Sequence, residues 1–188
     1  MTPRAERLLE ELRAHVPADE RERGSLDRIR QFVAVSRDPF SRDNPAGHVT
    51  GSAIVARPDG SAFLLIHHRK FDRWLQPGGH SNPEDGTVFD TALREVREET
   101  GADALVAGNA GRLLDVDVHP IPARGSEPAH FHFDLRYLVV FQGEAGFGEP
   151  QEISGIGWFS LEEALRAGVD ESLARTLRKA AATLKNGS

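Results

Sequence analysis

One short amphipathic helix with a ridge of acid constrains this chain more than any other feature. Residues 87–101, TVFDTALREVREETG, carry their own start and stop signals. Thr87 can cap the helix start, with Asp90 three residues on as its capping-box partner. Gly101 stands where a left-handed C-terminal cap belongs. Between them Val88, Phe89, Ala92, Leu93 and Val96 recur at three- and four-residue spacing, which predicts one face turned to a core. Glu95, Glu98 and Glu99 then share a different face, because residues three and four apart are helix neighbours. Ahead of the helix runs a glycine-rich loop, Gly78-Gly79-His80-Ser81-Asn82-Pro83-Glu84-Asp85-Gly86. Three carboxylates on one ridge repel one another. Water can solvate them as an ordinary acidic face. A divalent cation can also offset them, and hard oxygen donors suit magnesium or manganese that bridge carboxylates to substrate phosphates.

Two glycines, Arg-Glu and Glu-Glu at near-fixed separation form a specific pattern. Gln76-Pro77-Gly78-Gly79, followed by Arg94-Glu95-Val96-Arg97-Glu98-Glu99-Thr100-Gly101-Ala102, resembles the box of the Nudix hydrolases. In that box a glycine precedes a glutamate, and Arg-Glu-aliphatic-X-Glu-Glu-X-Gly-aliphatic follows. One departure stands between the halves: Gly86 occupies the position of the first glutamate, and the loop is one residue longer than the pattern. Asp85 or Glu84 then serves as the first acid. The resemblance implies that this acid pairs with Arg94 and holds the box together. It also implies a Nudix fold, an α/β (α+β) architecture with a mixed β-sheet sandwiched between helices. The implied activity is hydrolysis of a pyrophosphate bond in a nucleoside diphosphate linked to another moiety. Glu98 and Glu99 become the principal ligands of Mg2+ (or Mn2+), Glu95 a ligand or base, the Gly79 carbonyl a further ligand, and Arg94 the residue that orients the box.

Composition narrows the partners. The net charge of −6 over 188 residues argues against nucleic acid, whose binders normally present a basic face. The absence of cysteine excludes disulfides and thiolate chemistry and fits a reducing, cytoplasmic setting. It also weakens an isopentenyl-diphosphate isomerase reading, since the related chemistry relies on a cysteine. A Nudix-like binding or regulatory module without turnover is the other alternative, and the inserted loop residue is its support. No apolar run approaches a membrane span, and the charged N-terminus lacks a signal-peptide core.

Along the chain, residues 3–16 and 19–36 read as two amphipathic helices, with Gly24-Ser25 as an alternative start of the second; together they form a hairpin that caps the main domain or mediates a homodimer. The expected division is an N-terminal extension and linker, 1–44, and a Nudix domain, 45–188. Strands are expected at 48–57 and 62–68, joined by the turn Pro58-Asp59-Gly60. Arg69, Lys70 and Arg73 are the nearest cations to the presumed phosphate site and candidates to bind substrate, and His80, which directly follows the glycine pair, is a further candidate to touch a phosphate or metal. Trp74 is expected in the core beside the loop. Residues 113–121 and 129–142 read as further strands. Period two places Asp115, Asp117 and His119 on one face of the first, and His130, His132, Asp134 and Arg136 on one face of the second. His132 and Arg136 are candidate pocket residues, and His119, His130 and His132 a candidate histidine metal set. Glu149 and Glu152, near a glycine-rich loop, are candidates for an additional base or ligand. Residues 160–168 and 170–184 are expected as the closing helices.

Overall fold

The computed structural model describes residues 2–69, 71–125, 128–143 and 153–186. Its elements in chain order are α1 (Pro3–Ala14), α2 (Glu20–Val35), β1 (Gly47–Ala56), β2 (Phe63–His68), β3 (Arg73–Leu75), β4 (Gly78–His80) and α3 (Val88–Thr100). There follow β5 (Leu105–Ala107), a one-turn 3-10 segment (Gly108–Gly111), β6 (Leu113–Ile121), β7 (His130–Phe141), β8 (Ile153–Phe159), α4 (Leu161–Arg166) and α5 (Glu171–Asn186).

The centre is the pairing of β1 with β7. Every residue of β1 is buried, as expected for a strand covered on both faces. It runs parallel to β7 in unbroken register, from Gly47 opposite Phe131 to Ala56 opposite Val140. All other described pairings are antiparallel, so the sheet is mixed. On its other edge β1 forks. Val55 and Ala56 pair with β2, whereas Thr50, Gly51 and Ser52 pair with β4. The fork carries the glycine-rich loop into the middle of the sheet.

Alternating side chains feed two cores. Val49, Ala53 and Val55 of β1 and Phe133, Leu135, Tyr137 and Val139 of β7 face α3 and the N-terminal helices. Ile54, Ala56 and Leu138 face α4 and α5, where Leu173, Leu177 and Ala180 meet them. Helices thus cover both faces of the mixed sheet. The N-terminal hairpin shares the first core: Leu8, Leu12, Leu26, Ile29 and Val33 are buried in it, and the Phe32 ring stacks on Phe133 at 4.0 Å. Trp74 is half-buried and packs edge-on against Phe159.

A buried charge network joins the hairpin to the last helix. The Glu22 carboxylate is bonded to His15 Nε2 at 2.7 Å and accepts from the Ala18 N–H and Lys179 Nζ, each at 2.6 Å. Arg175 makes a bidentate pair with Asp115 nearby. Burial alone would push the Glu22 carboxyl up, but His15, the Ala18 N–H and Lys179 outweigh it and hold it at about 2. A carboxyl depressed on folding stabilises the native state above its ordinary pKa and loses that contribution as pH falls toward the folded value. Glu22→Gln therefore melts well below wild type at pH 7, by about 3 kcal/mol for one broken partner of a buried pair. The gap narrows between about pH 4.5 and 2. Thermal unfolding of both proteins across that range checks it; a gap independent of pH would refute the assignment.

Candidate functional site

The helix that the sequence marks so clearly is α3, and both caps form. Thr87 and Asp90 exchange capping-box bonds, and Gly101 takes the left-handed conformation at φ 72°. Close packing fixes its position. A Cβ on Gly51 of β1 would lie 2.7 Å from the Val88 carbonyl oxygen, so the first turn of α3 rests directly on the sheet.

The loop meets the acidic ridge through β4. The Gly78 N–H donates to Glu99 Oε2 at 2.8 Å. A Cβ on Gly79 would lie 2.6 Å from the Glu95 carboxylate, so only glycine lets that carboxylate lie against the strand. Burial raises the Glu95 carboxyl above its ordinary value, with Arg94 opposing the shift. Glu98 stands further out, its side chain 57% exposed.

Arg94 is the hub. Its Nη1 donates to Glu95 Oε1 at 2.8 Å and to Glu98 Oε2 at 3.0 Å. Its Nη2 donates to the His80 carbonyl at 2.7 Å. Nε and Nη2 reach the two Asp85 oxygens at 3.1 and 3.0 Å. Of the two acids open in the sequence, Asp85 thus pairs with Arg94, while Glu84 is exposed. Asp85 also accepts from the Asn82 N–H and the Thr91 hydroxyl. Burial works to raise its carboxyl; the bonds from Arg94, Asn82 and Thr91 prevail and lower it.

Two arginines of α1 reach this loop and the start of α3, outside any sequence expectation. Arg4 of α1 donates to the Asn82 carbonyl at 3.0 Å and to Thr91 Oγ1 at 3.1 Å. Arg7 donates to the Gly86 carbonyl at 2.9 Å. The longer loop is therefore stitched to the N-terminal helix.

The remaining candidates divide. Arg69 donates to the Ile153 carbonyl at 2.8 Å, and Arg73 is exposed at the start of β3. Lys70, Glu149 and Glu152 lie outside the described residues. Arg136 is buried: it donates to Asp134 at 2.9 Å, Ser172 at 2.8 Å and Thr176 at 3.0 Å, so its donors serve the protein interior. Asp134 in turn accepts from the Thr50 and Ser52 hydroxyls. The polar face of β7 thus splits: Asp134 and Arg136 form a bonded layer within the sheet, while His130 and His132 join His80 and His48. The His80 ring lies 4.8 Å from His48 and 5.1 Å from His132. Burial, then the neighbouring histidines, pushes the His132 imidazole down to about 2. The sequence reading missed His48, because only the parallel register of β1 on β7 brings it opposite His132.

Chemically the ridge can hold a hard cation. Glu95, Glu98 and Glu99 offer carboxylate oxygens, and Glu95 is cradled against a strand where a Cβ would displace it. Such a donor set fits magnesium or manganese.

Comparison with known proteins agrees with this geometry. A family model described as NUDIX domain matches residues 46–180. A probable DHNTP pyrophosphohydrolase of Lactococcus lactis subsp. cremoris is 30% identical over 160 residues, 84% of this chain and 89% of that protein. The solved structure of a C. elegans Ap4A hydrolase binary complex superposes with a TM-score of 0.59 at 20% identity, over 73% of this chain and 98% of that one. The E. coli dihydroneopterin triphosphate pyrophosphohydrolase superposes with a TM-score of 0.57 at 17% identity, over 70% and 92%.

Proposed function

This chain belongs to the Nudix hydrolases, and from that premise we propose that it cleaves a pyrophosphate bond in a nucleoside diphosphate derivative, aided by Mg2+ or Mn2+. The observation that carries the reading is the assembled box: Asp85, Arg94, Glu95, Glu98 and Glu99 are linked to one another or to the glycine strand by short bonds. A module that only bound nucleotide would have no need of the whole acidic set.

Glu98 and Glu99 are the principal metal-holding residues in this reading, with Glu95 and the Gly79 carbonyl beside them. The cation would offset phosphate charge and orient the attacking water. Arg94 keeps the ridge aligned, and Asp85 keeps Arg94 aligned. Glu95, less acidic than an ordinary carboxyl, is suited to accept the water's proton. Arg73, exposed on β3, is available to substrate phosphates, and Lys70, Glu149 and Glu152 stay candidates for contact, ligand or base. Proteins similar to this chain are named for hydrolysis of dihydroneopterin triphosphate and Ap4A, so a small, soluble phosphoanhydride is the expected substrate.

The test is phosphate or pyrophosphate release from a panel containing dihydroneopterin triphosphate, dinucleoside polyphosphates, nucleoside triphosphates and nucleotide sugars, each with magnesium and with chelator. Cleavage that vanishes with chelator supports the proposal. Tight, metal-independent binding without turnover across the panel would replace it by the binding-module reading.

A further inference from the structure

We propose that His48, His130 and His132 form a second cation site, for one borderline divalent metal of the zinc class, distinct from the carboxylate ridge. The topology brings these residues together. Parallel register sets His48 of β1 opposite His132 of β7, and the two-residue period puts His130 on the same face. The ring of His48 lies 5.0 Å from that of His130 and 4.8 Å from that of His132, and His130 and His132 are 5.3 Å apart. One ligand atom from each of the three falls within 4.8 Å of the others. A tetrahedral zinc with nitrogens at about 2.1 Å places them about 3.4 Å apart, so small side-chain rotations close the site.

The donor chemistry differs from that of the ridge. Imidazole nitrogens favour zinc, copper or nickel over magnesium. One tautomer is already set: His130 Nδ1 stands 2.9 Å from the Pro128 carbonyl, which can only accept, so Nδ1 carries the proton and Nε2 the lone pair. This is how proteins orient a metal-binding histidine. His119, opposite His132 across β6 and β7, is held by Asp117 at 3.1 Å in the same manner. His80 lies beside the trio and is the nearest source of a fourth nitrogen from another strand. Because His80 follows Gly79 in β4, a cation here would pin the loop strand to the two central strands. The proposal stands independently of the hydrolytic reading.

Metal-free protein is titrated with Zn2+ against a chromophoric chelator in millimolar Mg2+, and with Co2+ to read its visible absorption. The expected result is one ion per chain and a raised melting temperature. His130→Gln and His132→Gln should each weaken binding by about tenfold or more, while Glu98→Gln leaves it unchanged. Circular dichroism checks the fold of each variant. X-ray absorption of the zinc-loaded wild type reads the ligand shell without any substitution, and a nitrogen-rich shell is expected. An oxygen-dominated shell, no binding at micromolar zinc, or equal loss in Glu98→Gln would each overturn the site.

Discussion

Glu98→Gln is expected to lower kcat by about a thousandfold while the protein stays folded. Metal-borne charge stabilisation of a phosphoryl transition state is worth several kcal/mol, and about 1.4 kcal/mol is a factor of ten in rate. The amide keeps the shape of the side chain and removes its charge. Glu98 is the outermost acid of the ridge, so its replacement opens no cavity. The bond it loses, from Arg94, is solvent-exposed and worth well under about 1 kcal/mol. Activity and stability therefore separate. Initial rates at saturating magnesium, together with a thermal melt, decide the matter. A loss below tenfold would remove Glu98 from the metal-holding role, and a large fall in melting temperature would mean the loss was structural.

The second large effect contrasts two adjacent acids. Asp85→Ala should destabilise by about 2 kcal/mol, less than for a fully buried charge pair because Arg94 keeps some access to water. It should also reduce kcat/KM by about a hundredfold, since misplacing a catalytic group by about 1 Å costs that much. Asp85 holds Arg94 through two oxygens and ties down Asn82 and Thr91 as well. Glu84→Ala should change stability by no more than about 0.5 kcal/mol, the usual range for an exposed side chain. Its activity should stay near wild type. The reverse order of effects in unfolding and steady-state assays would show that the wrong acid has been assigned.

Local signals were legible and long-range ones were not. The caps of α3, the inward stripe Val88-Ala92-Val96 and the spacing of the acids are written within a few residues, and each appears as expected. The inward faces of α1 and α2 follow from the same periodicity, except that α1 ends at Ala14, two residues short of the expected helix, and leaves Val16 exposed. The choice between Asp85 and Glu84 depends on how the loop folds back, which spacing alone left open. His48 escaped notice because its partner is more than eighty residues away in a parallel pairing, for which no turn announces the register. The short strand β5 and the left-handed 3-10 turn carry no periodicity long enough to read. Glu22 looks like surface in the sequence, and becomes a buried anchor only when α5 brings Lys179 to it.

The contacts of Arg4 and Arg7 with the loop carry a last consequence. The recognised family segment begins at residue 46, yet the carbonyls of Asn82 and Gly86 take their side-chain donors from residues 4 and 7. Trimming the chain to the family boundary would strip those donors and uncover the apolar face beneath Phe32. Shortening the loop to the ordinary box length would move the carbonyls of Asn82 and Gly86 that the two arginines bond, while Arg4 keeps the Thr91 hydroxyl of α3. The longer loop and the leading helix are thus joined in this fold, so a box transplanted into another scaffold without α1 would arrive with those two loop carbonyls lacking their side-chain donors.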